Sequence, residues 1–377
     1  MKSSQQLLAA STAALVAAGL WAFLRRGSAR PTAVSIPPTM RAVVAKEGKC
    51  VLVQHPTPSP QANEVLIQVR TTAINRLDIG QRVGKVPVPK DVTEILGLEA
   101  AGIVVAIGSE VGGAFRVGDE VLALVPGGGY AEYVTVHHAT VMHKPKDLPW
   151  EAAGSVPEAW LTAFKLVHVV GQARSGDRVA IHAAASGVGV AAIQLVKAAG
   201  AHAFVTVGSS EKLKLCVERL GAAAGALRHD GPWIDKLKAL DGPPFQRAVD
   251  LVLDPVASSY AEQNVEALAI DGRWVLYSTL SGPSLPPDFG KTFLGALAKK
   301  RLSLLATTLR ARPIPYKADL VRRFSRDVLP KLSLGGKGDA DQFVHIIDKT
   351  FVGLESAQAA HEYMETNANL GKIVLTV

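Results

Sequence analysis

The most legible chemistry in the chain is carried by small residues. Ser186-Gly187-Val188-Gly189, with Ala192 three positions on, satisfies the pattern G-x-G-x-x-A. It closes a turn of small residues, Ala183 to Gly189, that follows the apolar run Val179-Ala180-Ile181. Behind it, Val190, Ile193, Leu195 and Val196 recur at helical spacing. Strand, small-residue turn and helix is the opening of a dinucleotide-binding unit. The small side chains let backbone approach a pyrophosphate, and the helix N-terminus offers free N–H groups and the positive end of a dipole. On its own the pattern is equally that of an ordinary tight turn. A second strand-like run, His202 to Val207, leads into Gly208-Ser209-Ser210-Glu211-Lys212. An NAD-binding chain usually ends this strand with an acid that holds the ribose hydroxyls. Glycine, serines and a lysine instead leave room, hydroxyls and a cation for a 2′-phosphate, so the expected cofactor is NADPH. The alternative makes Lys212 a solvated helix residue.

Metal and nucleophile chemistry have less to stand on. The ten histidines form no H-E-x-x-H or comparable cluster. The two cysteines, Cys50 and Cys216, form no C-x-x-C and no disulfide framework, which points to a reducing compartment and excludes a four-cysteine structural zinc. The net charge of +8 raises the question of nucleic acid, yet Lys2, Arg25, Arg26 and Arg30 supply four of those charges before the first acid at Glu47. The longest basic run beyond them is Lys299-Lys300-Arg301, and no nucleic-acid partner is expected.

Two kinds of element must position these residues. From Met40 the chain alternates in short strand-like pieces, including Glu64 to Arg70, Ala101 to Val105, Asp119 to Leu124 and Tyr133 to Val136. This succession predicts a mostly β, barrel-like domain. From about Gly154 helix and strand alternate, with strands expected at Ala248 to Leu253 and Trp274 to Tyr277, so a parallel doubly wound sheet is predicted. A helical stretch at Lys317 to Leu332, a piece at His345 to Phe351, a helix at Leu354 to Thr366 and a strand at Lys372 to Val377 complete the chain.

The N-terminus is a separate matter. Residues 7–24 are uncharged and rich in Ala and Leu, with Arg25-Arg26 just beyond. The run is at the short limit for a bilayer span. It reads as a membrane anchor with the main domain on the cytoplasmic side, as a mitochondrial targeting peptide, or as a weak secretory signal. The anchor is the reading adopted, with targeting second. Pro31, Pro37 and Pro38 mark a linker behind it.

Taken in order, several segments are recognisable. They include Ala73-Ile-Asn-Arg-Leu-Asp78, Gly97-Leu-Glu-Ala-Ala-Gly102, Val117-Gly-Asp-Glu-Val121 and Pro126-Gly-Gly-Gly-Tyr-Ala-Glu-Tyr-Val134. Pro157-Glu-Ala-Trp-Leu-Thr-Ala163, Asp271-Gly-Arg-Trp-Val-Leu-Tyr277 and Gly371-Lys-Ile-Val-Leu375 follow. On these segments, residues 40–377 resemble the medium-chain dehydrogenase/reductase superfamily. The likeness is greatest to its zinc-free quinone oxidoreductases of the zeta-crystallin group, and among those to the tumour-suppressor-inducible quinone oxidoreductases. The resemblance implies an α/β fold with a Rossmann-type doubly wound parallel sheet and a mostly β GroES-like barrel. It divides the chain into an N-terminal segment (1–39), a GroES-like catalytic domain (40–160), a Rossmann NADPH-binding domain (161–305) and a return to the catalytic domain (306–377). It also implies a homodimer joined through the parallel sheets, with Trp274 to Leu280 near the joining edge.

Zinc-dependent relatives carry a cysteine where Asn75 stands and a histidine where Leu98 stands, so no metal is expected here. Without a Lewis acid, alcohol oxidation fits poorly, and reduction of a quinone or another electron-poor small molecule fits better. The resemblance places Asn75 beside the nicotinamide and Thr162 at its carboxamide. It places Ser186, Gly187, Val188 and Gly189 at the pyrophosphate, and Gly208 and Lys212 at the adenosine end. Ser278, Thr279 and Leu280 would flank the nicotinamide ribose, Leu309 and Arg310 would lie near the site, and Lys372 would approach the cofactor.

Each assignment has a plainer counterpart. Asn75 also reads as the cap of a helix starting near Leu77, Thr162 as an ordinary helix residue, and Arg310 as a solvated charge. Asp78 and Arg82, four apart, read as a structural ion pair, Glu99 as a brace of the fold, and Tyr130 and Tyr133 as packing. Two departures touch the site. Val86 stands where the resembling proteins carry a tyrosine, and Arg228 replaces a second one, where it would serve the 2′-phosphate. The expected activity is NADPH-dependent quinone reduction by hydride or electron transfer. The rivals are an enone reductase on the same fold and a membrane-attached NADPH-binding protein with little turnover.

Overall fold

Glu47 and Gly48 both adopt positive φ, at 48° and 75°, the conformation a two-residue hairpin turn demands. They join β1 (Thr39–Lys46) to β2 (Lys49–Pro56). The computed structural model describes residues 35–334 and 342–377. The apolar run 7–24, with its anchor and targeting readings, lies outside the described residues. Among those described, no helix is long and apolar enough to cross a membrane.

The next strand is nearly all buried because it has neighbours on every side. β3 (Glu64–Ala73) pairs antiparallel with β4 (Glu99–Ile107), with β6 (Tyr133–His137) and with the C-terminal strand. β5 (Glu120–Leu124) and β7 (Val141–His143) continue from β4 and complete the barrel-like sheet. Its core is Val- and Ile-rich, including Val65, Ile67, Val104 and Val121, as suits strands packed on a common interior.

The second sheet has six parallel strands in the order β10-β9-β8-β11-β12-β13. They are β8 (Arg178–Ile181), β9 (His202–Val207), β10 (Ala224–Leu227), β11 (Val249–Asp254), β12 (Leu268–Leu276) and β13 (Ser303–Ala306). This is the dinucleotide-binding order, reversing direction beside β8. Alternate residues of one strand serve two cores, which is what winding helices on both faces requires. Val179 and Ile181 join the cluster containing Val190 and Ile193, whereas Ala180 joins Trp233 and Phe245 on the other face.

The expected strands over 178–207 are present. β10 and β13 were not foreseen. Ala-Gly-Ala-Leu is too small to signal a strand, and β13 is largely exposed at the sheet edge. β12 begins at Leu268 rather than Trp274, and the helix placed at Lys317 to Leu332 runs Ile314–Asp327. A 3₁₀ turn, Leu354–Ser356, precedes the helix Ala357–Glu365. The short strands β14 (Leu332–Leu334) and β15 (Phe343–His345) pair with each other. β16 (Ile347–Val352) pairs with β17 (Lys372–Thr376), whose far edge lies against β3. The end of the chain thereby returns to the first sheet, carrying Lys372 to the turn after β8.

Candidate cofactor and acceptor site

Lys372 stands at the meeting of the two sheets and is 3% exposed. Gly371 makes this possible. Its N–H donates to the Ala185 carbonyl at 2.8 Å, pinning the start of β17 to the small-residue turn. The aliphatic stem of Lys372 then crosses Gly187 so closely that a Cβ there would lie 2.5 Å from Cδ. Gly189 is required as well, since a Cβ would lie 2.3 Å from the Ala184 carbonyl oxygen. Ser186 caps the helix Gly187–Ala198 by accepting from the Gly189 N–H at 3.2 Å. Gly187 faces the Gly371 carbonyl in the parallel bridge between Ser186 and Gly371, while the Val188 N–H remains without a partner among the described residues, a donor suited to an anion.

The Lys372 ammonium ends in a closed set of acceptors. Nζ donates to Asn75 Oδ1 at 2.7 Å, Glu99 Oε1 at 2.8 Å and the Ile74 carbonyl at 3.1 Å. Asn75 Nδ2 donates to the same Glu99 oxygen at 2.9 Å. The other oxygen, Oε2, accepts from the Glu158 N–H at 2.9 Å, in the first turn of the helix Pro157–Phe164. That helix has no side-chain cap of its own, so the Glu99 carboxylate from β4 supplies the negative charge its N-terminus favours. Asn75 occupies the N-cap position of the helix Arg76–Arg82, and its side-chain amide bonds the lysine and the carboxylate.

Asp78 does not pair with Arg82. Its Oδ2 accepts from the Asn75 N–H at 2.8 Å and the Tyr130 hydroxyl at 3.2 Å, and Oδ1 accepts from the Gly97 N–H at 3.2 Å. Arg82 instead reaches Glu365 at 2.7 Å. Burial pushes Asp78 up to about 7 and drives Tyr130 well above the phenol range. Tyr130 also meets His361 Nε2 at 3.2 Å, so it belongs to the polar interior as well as to the packing.

The helix Pro157–Phe164 brings a second group to this place. Glu158 and Thr162, four apart, share a face of this helix, and Lys165 opens the π-helical turn Lys165–Val170 that continues it. Glu158 is held up at about 7, first by burial and then by Glu99. Arg310 Nε donates to the Pro126 carbonyl at 2.7 Å, and Leu309 beside it is buried.

The other expected residues fall into two sets. At the end of β9, Arg228 lies over Gly208, with Nε 3.3 Å from where a Cβ would be. Burial, and then the Arg228 charge, lower the Lys212 ammonium, whose Nζ donates to the Asn367 carbonyl at 2.6 Å. Arg76 approaches from the first domain and bonds Asn367 as well. Ser278, Thr279 and Leu280 form the loop after β12. It is tied to the loop after β11 by the Leu280 N–H to the Pro255 carbonyl at 3.0 Å, with Thr279 and Leu280 exposed.

Where a metal ligand set was weighed, the groups are an amide, an ammonium and one carboxylate, with Leu98 in the core. Among the described residues no three His, Cys, Asp or Glu side chains gather as a metal site. Sequence reasoning passed over Glu158, Lys165, Lys317 and Arg76 and gave Glu99 only a bracing role. Lys165 left one signal, a lysine inside the apolar run Ala163-Phe-Lys-Leu-Val167.

Known proteins share this architecture. Residues 61–146 match the alcohol dehydrogenase GroES-like domain family, and residues 187–325 match the zinc-binding dehydrogenase family. A probable quinone oxidoreductase of Schizosaccharomyces pombe is 26% identical over 339 residues, covering 88% of this chain and 95% of its own. Highly-reducing polyketide synthase 1 of Aureobasidium melanogenum is 27% identical over 319 residues, 83% of this chain and 13% of that protein. The chain spans about a tenth of the length of the polyketide synthases it matches. A mycobacterial protein solved in complex with NADPH superimposes with a TM-score of 0.73 at 25% identity, covering 90% of this chain and all of the other. With both family matches in order along the chain, and the dinucleotide-binding strand order joined to a GroES-like sheet, the protein belongs to the medium-chain dehydrogenase/reductase superfamily.

Proposed function

We propose that the protein reduces quinones with NADPH and without a metal. The observation that carries this reading is the Lys372 ammonium set between Asn75 and Glu99. It neutralises the one carboxylate there and repels a divalent cation, so activation by zinc is replaced by positioning. An acceptor that is already electron-poor needs no more than that. The turn Ser186 to Gly189, with the Val188 N–H, would hold the pyrophosphate. Lys212 and Arg228, beyond a β9 that ends in Gly208 and serines where an acid would hold ribose hydroxyls, would hold a 2′-phosphate. Asn75 and Thr162 would face the nicotinamide, which when bound supplies the hydride. The Schizosaccharomyces pombe relative's name supports the quinone, and the mycobacterial complex supports the cofactor.

A second reading, reduction of an enone, is favoured by the match to a highly-reducing polyketide synthase. NADPH oxidation by the full chain with 9,10-phenanthrenequinone and with trans-2-hexenal separates the two. Quinone turnover at least tenfold faster supports the proposal, and turnover of the enone alone moves the protein to the enone reductases. Saturable NADPH binding with neither turnover favours a binding protein.

Two further assignments belong to the same reading. Among the described residues β13 ends the six-stranded sheet with one edge unpaired, an edge that a second copy would extend, so the working form is taken as a homodimer. Residues 7–24 are taken to attach the protein to a membrane with the site on the cytoplasmic side, or to direct it to mitochondria. Sedimentation of the purified chain and fractionation of cells expressing it test the two in turn.

A further inference from the structure

A chain of buried polar groups crosses the six-stranded sheet at the C-terminal ends of four adjacent strands. Thr206 belongs to β9, His182 follows β8, Asp254 ends β11 and Trp274 lies near the end of β12, and all four are buried. Asn264, fully buried on the helix Ala261–Ala267, joins them. Asp254 accepts from four neutral donors. Oδ2 takes the Asn264 amide at 2.8 Å and the Trp274 indole at 3.0 Å, and Oδ1 takes the Val256 N–H at 2.6 Å and the Ala257 N–H at 3.0 Å. With Nδ2 on the carboxylate, Asn264 turns Oδ1 to His182 Nε2 at 2.7 Å, so Nε2 carries the hydrogen. Burial keeps the ring neutral, and its Nδ1 accepts from the Thr206 hydroxyl at 2.9 Å.

The two backbone donors on Oδ1 belong to a turn under strain. Ala257 has φ 70° and ψ −113°, a conformation that glycine takes freely and a residue with a Cβ takes only at a cost. Such a turn persists where its surroundings fix it, and here one carboxylate oxygen fixes two successive N–H groups. The loop after β12 leans on the same turn. The Leu280 N–H donates to the Pro255 carbonyl at 3.0 Å, and the Ser281 N–H and hydroxyl both donate to the Val256 carbonyl, at 2.9 and 2.7 Å. Ser281 Oγ in return accepts from the Ser259 N–H at 3.0 Å. Displacing Val256 and Ala257 therefore displaces Ser278 to Ser281 as well. Both loops stand outside the carboxyl ends of their strands, where a doubly wound sheet binds its ligand.

We infer that Asp254 is a positioning residue for the nicotinamide half of the cofactor, clamping the strained Ala257 turn and, through it, the loop Ser278 to Ser281. It touches no reacting atom. The inference rests on the cofactor reading for its ligand, whereas the clamp is a property of the free protein. The adenosine half is assigned to Gly208, Lys212 and Arg228, none of which Asp254 bonds, so loss of the carboxylate should separate the two halves.

The test begins with hydrogen exchange on the full chain without cofactor. The Val256 and Ala257 amides should exchange at least a hundredfold more slowly than in the unfolded chain, and exchange at the unfolded rate overturns the inference before any substitution is made. Calorimetry then compares reduced nicotinamide mononucleotide with 2′,5′-ADP. In Asp254→Ala the mononucleotide should bind at least tenfold more weakly, while 2′,5′-ADP stays within twofold of the unaltered protein. A fold loosened as a whole would weaken both probes alike. Adding Ala257→Gly, which takes the turn without a clamp, should recover at least threefold of the lost affinity. Unchanged mononucleotide binding, equal weakening of the two probes, or no recovery with the glycine overturns the inference. Failure of the unaltered protein to bind either probe counts against the cofactor reading alone, and the exchange of Val256 and Ala257 still decides the clamp.

Discussion

Lys372 Nζ lies 2.7 Å from Asn75 Oδ1, and both residues hold the same oxygen of a fully buried Glu99. The contact joins β17, at the C-terminal end of the chain, to the N-cap of a helix almost three hundred residues earlier. It also fixes the amide, because Oδ1 must face the ammonium while Nδ2 faces the carboxylate.

Removing the cation should therefore do more than lose a contact. Lys372→Met leaves Glu99 buried and unpaired, which costs about 3–5 kcal/mol by the precedent of broken buried pairs. Adding Glu99→Gln should restore a large part of that. Urea unfolding of both variants checks it. A single variant as stable as the unaltered protein contradicts the structural role given to the pair.

Arg228 lies over Gly208, and its charge reaches the Lys212 ammonium. Lys212→Ala should lower the kcat/KM ratio of NADPH over NADH at least tenfold, about 1.4 kcal/mol of discrimination. Steady-state kinetics with both cofactors reads this directly, and an unchanged ratio removes the 2′-phosphate assignment.

Glu158 titrates at about 7, above its ordinary 4.5, because the folded state disfavours its charge. A folded pKa raised in this way contributes stability that is complete below 4.5 and is lost as pH rises through about 7. Glu158→Gln should then gain on the unaltered protein between pH 5 and pH 8 by about 1–2 kcal/mol, less than a full shift because solvent screens a half-buried group. Chemical denaturation at the two pH values decides it, and a difference that does not change with pH is the contrary result.

His345 behaves in the opposite sense. The Trp160 indole donates to its Nδ1 at 2.9 Å, and Ser155 Oγ lies 2.7 Å from Nε2. Burial, and then the Lys372 charge, hold the ring down at about 3, below its ordinary 6.5. Its contribution is complete above 6.5 and is lost as pH falls toward 3. Thermal melts of His345→Gln should accordingly show a flatter decline between pH 6.5 and pH 4 than the unaltered protein shows. Parallel declines would exclude His345 as a source of acid sensitivity.

How much of this could be read beforehand depends on how local the determinant is. The turn from Ser186 to Gly189 was legible because its requirement, small residues between a strand and a helix, is met within a few positions. The fold was legible for the same reason, through strand and helix periods that repeat along the chain. Asp78 was misjudged because its partners come from Gly97 and Tyr130 as well as Asn75, and two of them are remote in sequence. Lys317 was invisible. A lysine on an amphipathic helix looks like a solvated one until another element covers it. Glu99 was read as a brace, and it is one for the helix Pro157–Phe164, but its second oxygen joins Asn75 and Lys372 across the site.

If the cluster of Asn75, Glu99 and Lys372 stands where a metal would, turnover needs no zinc. The most direct measurement is NADPH oxidation with 9,10-phenanthrenequinone by the full chain after dialysis against chelator, with the metal content of the same sample determined. Full turnover is expected at well under one zinc per chain, with no increase when zinc is added back. Activity that disappears on chelation and returns in proportion to added zinc would contradict it.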